Sequence, residues 1–147
     1  MGQSAEYSRT GFRDPAANQK GSRVSAEPLI SIIDDDESLR TALVGLVRSV
    51  GYGARGFSSA EDFLQSGAVR EFSCIVTDIQ MPGMSGIDLK HHLVAQQNAL
   101  PVIMITARAE KGLEEKALAS GAAFFLRKPF EATVLIDCLE RVLNPAS

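Results

Sequence analysis

Five short apolar runs, each followed by a stretch of helical periodicity, constrain this chain more than any other feature. "LISII" (29–33), "CIVTD" (74–78) and "PVIMIT" (101–106) read as buried strands, and "YGARGF" (52–57) and "AFFL" (123–126) as shorter or weaker ones. The first run is followed by "LRTALVGLVRSV", with Leu39, Ala42, Leu43, Leu46, Val47 and Val50 at helical spacing and Gly51 as a stop. "SSAEDFLQSG" opens with two overlapping capping patterns, Ser58 to Glu61 and Ser59 to Asp62, and closes at Gly67. Ser85 and Asp88 pair as the cap of a helix running to about Gln97. "EKGLEEKALASG" (110–121) predicts a helix of low hydrophobicity, and "EATVLIDCLERVL" (131–143) an amphipathic one. Five strands alternating with five helices predict an α/β fold, a parallel sheet with helices on both faces. Right-handed crossovers leave few topologies, and the site of such a sheet lies beyond the carboxyl ends of its strands, at the switch point.

The strand ends are therefore the place to look for chemistry. "SIIDDDESLR" sets Asp34, Asp35 and Asp36 side by side directly after a buried strand. Two carboxylates about 4 Å apart repel by about 1 kcal/mol in water and about 4 kcal/mol near a protein surface, so something must offset the crowding. The third strand ends in Asp78, the fourth in Thr106, and the fifth is followed by Lys128. In a parallel sheet these ends converge, and three carboxylates, a hydroxyl and an ammonium meet in one crevice. Carboxylate oxygens suit Mg²⁺, with Mn²⁺ the alternative. Asp36 lies past the strand, where a carboxylate caps a helix N-terminus; it is expected to be structural.

Composition narrows the function. The chain has 147 residues, 45% hydrophobic and 22% charged, enough for one domain with a core. A net charge of −3 and a pI near 5.4 give no electrostatic case for nucleic-acid binding by this chain alone. No apolar run approaches the roughly 20 residues of a membrane span, and the N-terminus lacks the apolar region of a secretory signal, so a cytoplasmic location is expected. Cys74 and Cys138 sit in apolar segments and read as buried free thiols. Residues 1–27, rich in small and polar residues, are expected to be a flexible tail, native or foreign, ahead of a folded domain over 28–147. Adjacent His91 and His92 point about 100° apart on a helix and are expected on its solvent face; Met81 and Met84 are expected to pack.

"IIDDDES", "IVTDIQMPGMSGIDL", "IMITA" and "FLRKPFE" resemble the motifs of response-regulator receiver domains, and "SSAEDFL" with "DIQMPGMSG" is most similar to the FixJ-type subgroup. The resemblance spans about Pro28 to Leu143. It implies a flavodoxin-like (βα)5 fold of strand order 2-1-3-4-5 and a two-component signalling role rather than that of an enzyme. Asp78 would take a phosphoryl group from the phosphohistidine of a sensor histidine kinase or phosphotransfer protein. Asp34, Asp35, Asp78 and the Gln80 backbone carbonyl would hold Mg²⁺. Lys128, aimed by a cis bond before Pro129, and Thr106 would meet the phosphoryl oxygens.

Thr106 and Phe125 would form the switch, with packing alone carrying the change because Phe125 has no hydroxyl. The surface formed by the fourth helix, fifth strand and fifth helix would serve dimerisation or an output partner, with transcription the expected output. Gln80 and Arg108, two residues past the acceptor and past the threonine, would tune phosphate lifetime. FixJ-type regulators usually carry a C-terminal helix-turn-helix domain; none is expected within this chain. Two alternatives stay open. One is a haloacid-dehalogenase-like phosphohydrolase using Asp34 of "DDD" as nucleophile. The other is a pseudo-receiver that interacts without phosphate.

Overall fold

Each of the five apolar runs forms a strand, hydrogen-bonded in parallel to its neighbours. The computed structural model describes residues 27–145 and, ahead of them, a two-residue antiparallel pairing of Arg13–Asp14 with Ala17–Asn18. Apart from that pairing and Glu27, the expected tail over 1–27 lies outside the described residues. The strands are β1 (Leu29–Ile33), β2 (Gly53–Phe57), β3 (Cys74–Asp78), β4 (Val102–Thr106) and β5 (Phe124–Arg127). Their spatial order is β2-β1-β3-β4-β5. The helices are α1 (Glu37–Ser49), α2 (Ala60–Gln65), α3 (Gly86–Ala95), α4 (Leu113–Ala119) and α5 (Ala132–Leu143). This is the expected doubly wound (βα)5 fold of order 2-1-3-4-5.

Burial explains why β3 and β4 read as unbroken apolar runs. Every residue of both is buried, because helices cover both faces. Alternate residues serve two cores. Ile33, Ile75, Val102 and Met104 face α2, α3 and α4, with Phe63, Leu89, Leu93 and Leu113. Ile30, Ile32, Val76, Ile103 and Ile105 face α1 and α5, with Leu43, Val47, Leu135 and Leu139. Cys74 and Cys138 are free thiols buried in that second core, and burial pushes Cys74 up to about 12. α2 is short but firmly seated: Phe63 is fully buried and meets Phe57 and Phe72 edge-on at 5.4 Å each.

Asp36 caps α1 as expected, accepting from the Leu39 N–H at 3.2 Å, so the helix starts at Glu37. Three local details differ from expectation. α2 is capped by Ser59, which accepts from the Asp62 N–H at 3.0 Å; Ser58 and Glu61 do not pair. α4 starts at Leu113 rather than near Glu110, because Gly112 takes the left-handed conformation (φ +81°) and supplies no side-chain cap. A 3₁₀ turn over Val69–Glu71 is too short for any periodicity to announce. Among the described residues no helix is long and apolar enough to cross a membrane.

Candidate functional site: a carboxylate cluster at the switch point

The chain leaves β1 for one edge of the sheet and β3 for the other, so the crevice opens above the ends of these two neighbours. Asp34 follows β1 directly. Its N–H donates to the Phe57 carbonyl at 3.1 Å, and its own carbonyl accepts from Arg40 Nη1 at 2.8 Å. Its Oδ1 accepts from the Asp36 N–H at 2.9 Å. The side chain is thus fixed and only 2% exposed. Asp35 projects to solvent. Asp78 ends β3 and is 8% exposed. One carboxylate oxygen from each of the three lies within 4.8 Å of the other two.

Among the described residues a single cation, Lys128, is ion-paired to this cluster. Lys128 Nζ lies 3.3 Å from Asp34 Oδ2 and 3.8 Å from Asp78 Oδ2. The Lys128–Pro129 peptide is cis, and the Lys128 N–H donates to the Thr106 carbonyl at 2.8 Å. One ammonium does not balance three carboxylates. Burial pushes the Asp78 carboxyl up to about 6; Lys128 works against that rise, Asp34 and Asp35 add to it, and the Gln80 backbone hydrogen bond lowers it. The donor set of three hard oxygens with an excess of negative charge fits Mg²⁺. Among the described residues no second cluster of this kind occurs.

The surroundings hold the acceptor end of β3 in place. Ile79 donates to the Ile105 carbonyl at 2.9 Å, and Gly86 donates back to Ile79 at 3.0 Å. A Cβ at Gly86 would stand 2.7 Å from the Asp78 carbonyl oxygen, so this close approach of α3 requires glycine. Ser85 and Asp88 complete a reciprocal capping box at the start of α3.

On the other side of the crevice, Thr106 is fully buried and its hydroxyl oxygen accepts from the Arg108 N–H at 3.0 Å. Phe125 is half-buried, packs against the first core and carries the Arg127 guanidinium 5.5 Å from its ring centre. The structure thus brings together Asp34, Asp35, Asp78 and Lys128. Gln80 follows two residues after Asp78 and is half-buried. Arg108 is exposed, and its main chain is hydrogen-bonded to Thr106 and Arg127. His91 and His92 are exposed, and Met81 and Met84 pack against the first core, as expected. One contact was not anticipated: Glu61, read as part of a cap, reaches instead to the β3–α3 loop, where its Oε2 accepts from the Met84 N–H at 2.9 Å.

Comparison with known proteins agrees with this architecture. Residues 30–140 match the family model of the response regulator receiver domain. The chain is 37% identical over 121 residues to the transcriptional regulatory protein FixJ of Bradyrhizobium diazoefficiens, covering 80% of this chain and 59% of that protein. The crystal structure of FixJ-N superposes with a TM-score of 0.73 at 32% identity, covering 80% of this chain and 94% of that one. A receiver protein from Burkholderia phymatum gives 0.71 at 38% identity, covering 80% and 96%. The chain spans between half and three-fifths of the length of these curated relatives. Fold, strand-end chemistry and similarity converge, and the chain belongs to the response regulator receiver domain family, the phosphoacceptor signalling domain of two-component systems, in its FixJ-type branch.

Proposed function

We propose that Asp78 is the residue that accepts the phosphoryl group, from a phosphohistidine carried by a partner kinase or phosphotransfer protein. The observation that carries this reading is the Asp34–Asp35–Asp78 cluster with Lys128 set across two of its members. Asp34 is the poorer nucleophile. Both its oxygens are engaged, Oδ1 by the Asp36 N–H and Oδ2 by Lys128, and it is nearly sealed from solvent. This disfavours phosphohydrolase chemistry through Asp34. Asp78 is more accessible, and its longer ion-pair distance to Lys128, 3.8 Å against 3.3 Å for Asp34, leaves it less tightly held.

The step is an exchange of one bond for another. An Asp78 oxygen forms a bond to phosphorus, the P–N bond of the phosphohistidine breaks, and its electron pair returns to the imidazole nitrogen. Asp34, Asp35, Asp78 and the Gln80 carbonyl would hold Mg²⁺, which when bound neutralises charge on the carboxylates and on the phosphoryl oxygens. Lys128, freed from Asp78, pairs with one phosphoryl oxygen as a point charge. The Thr106 hydroxyl, whose oxygen already accepts from Arg108, donates its proton to another.

Delivery and output use different faces. An apolar groove of about 690 Å³, lined by Leu39, Leu43, Leu46, Pro129 and Phe130, runs between α1 and the start of α5 and has Lys128 on its wall. It suits a partner helix that must bring a phosphohistidine to the crevice. Beyond the groove, Leu118 of α4 and Val134 of α5 are 47% and 43% exposed, which supports the α4–β5–α5 surface as the site of dimerisation or of an output partner controlling transcription. The test is to incubate the protein with Mg²⁺ and acetyl phosphate and to locate the modification by mass spectrometry. Modification at Asp78, absent in Asp78→Asn, is the expected result; modification at Asp34 would overturn the reading.

A further inference from the structure

We infer that Glu61, on α2, is a positioning residue for the metal and phosphoryl chemistry of the β3–α3 loop. The inference rests on Asp78 being the acceptor and on the Gln80 carbonyl being a metal ligand. That carbonyl is main chain, so only the path of the loop can aim it. At its base the loop is pinned by the Gly86 N–H to the Ile79 carbonyl. Toward its far end, Met84 has its N–H held by Glu61 Oε2 at 2.9 Å across 23 residues of sequence. Oε2 of the carboxylate comes close against Gly83, which has no Cβ to stand in the way and takes a left-handed backbone (φ +79°); a Cβ there would stand 2.5 Å from Oε2.

Glu61 is not needed where it stands in α2. Ser59 already caps that helix, and Phe63 anchors it in the core. The charge is therefore free to act on the loop, and a carboxylate on a backbone N–H is a strong, oriented bond. The arrangement ties the segment Gln80–Met84 to a rigid element on the β2 side of the sheet. Partners that orient metal ligands in this indirect way typically change metal affinity 10- to 100-fold when removed.

The experiment compares wild type, Glu61→Ala and Glu61→Gln in two measurements. The first is amide hydrogen exchange at Met84 in metal-free protein, which reads the tie without any chemistry. The second is Mg²⁺ affinity by titration calorimetry. Glu61→Ala is expected to exchange Met84 faster by about 10-fold and to bind Mg²⁺ more weakly by about 10-fold, while its unfolding temperature in metal-free buffer stays near that of wild type. Glu61→Gln keeps an acceptor oxygen and is expected to restore both to within about 3-fold.

Unchanged Met84 exchange in folded Glu61→Ala overturns the tie. Faster exchange with unchanged Mg²⁺ affinity overturns its functional role. A Gln variant as impaired as the Ala variant overturns positioning in favour of bare charge. A wild type that binds no Mg²⁺ while protecting Met84 removes the site reading on which the inference rests, and is distinguished from the other outcomes by that first measurement.

Discussion

The five helices begin in two different ways. α1, α2 and α3 start on side-chain caps: Asp36, Ser59, and the Ser85–Asp88 box. α4 and α5 start at Gly112 and Glu131 with no side-chain cap. The division follows the site. The capped helices follow β1, β2 and β3, the side that carries Asp34, Asp35 and Asp78. The uncapped ones follow β4 and β5, the side that carries Thr106, Phe125 and Lys128. Caps fix helix entry, at about 1 kcal/mol each. The geometry of three carboxylates needs a fixed frame. A switch needs elements that can move at low energetic cost, and their uncapped starts give α4 and α5 that freedom.

The largest expected effect comes from the centre of the fixed side. Asp78→Asn should abolish phosphorylation and at the same time stabilise the metal-free fold. The sign follows from the raised carboxyl. Folded Asp78 titrates near 6 against an ordinary 3.8, so the folded state holds this proton more tightly than the unfolded state does. Its contribution is fully present below pH 4 and is lost as pH rises through about 6. At pH 7 the loss is on the order of 3 kcal/mol. Asparagine carries no such proton. Thermal unfolding of both forms from pH 4 to pH 8 without Mg²⁺ should show the variant gaining on wild type across that window. Parallel curves would remove the strain attributed to Asp78.

Next in size, Ser85→Ala should cost about 1–2 kcal/mol, because the Asp88 N–H loses its Oγ acceptor, while the main-chain N–H of residue 85, which alanine retains, still meets Asp88 Oδ2. Asp36→Ala should cost about 1 kcal/mol and leave Mg²⁺ affinity unchanged. Asp34 is held by the main-chain N–H of residue 36, which alanine retains. Denaturant unfolding gives the two costs, and calorimetry gives the affinity. If Asp36→Ala weakened Mg²⁺ as badly as Asp35→Ala, cap and ligand would not be separate roles.

What could be read from sequence divides along similar lines. The strands were legible because helices on both faces demand unbroken apolar runs, as in "CIVTD" and "VIMIT". The carboxylate cluster was legible because parallel strands bring their ends together, so Asp34 and Asp78 met without any knowledge of the loops. Caps written in Ser and Asp were legible too. The start of α4 was not, because Glu110 and Lys111 favour helix while Gly112 turns left-handed and stops it from forming earlier. Glu61 was misread for a physical reason. Its local pattern satisfies a capping box with Ser58, yet its carboxylate finds a better partner in an N–H 23 residues away, which no local pattern encodes. At Arg108 the fold ties the main chain to Thr106 and Arg127 and leaves the side chain exposed, a division that position along the sequence does not encode.

The smallest expected effect on stability lies on the movable side and probes it most directly. Arg127 is exposed, yet it joins two parts of the switch. Its Nη1 donates to the Arg108 carbonyl in the β4–α4 loop at 3.3 Å, and its guanidinium sits 5.5 Å from the centre of the Phe125 ring. The same loop residue, Arg108, gives its N–H to Thr106. One side chain thus links the resting hydroxyl, the loop and the aromatic. An exposed cation–π contact and a long hydrogen bond contribute together only about 0.5–1 kcal/mol. Arg127→Ala should therefore barely move the unfolding midpoint. It should nonetheless speed amide exchange at Arg108 and the loop residues after it, because the carbonyl that anchors the loop is released. An equal increase in exchange at Asp36 or Ser85 would mean that the variant loosens the whole domain, and the contrast between fixed and movable sides would fail. Increase confined to the β4–α4 loop would place the boundary of the switch between β3 and β4, where the capped helices end.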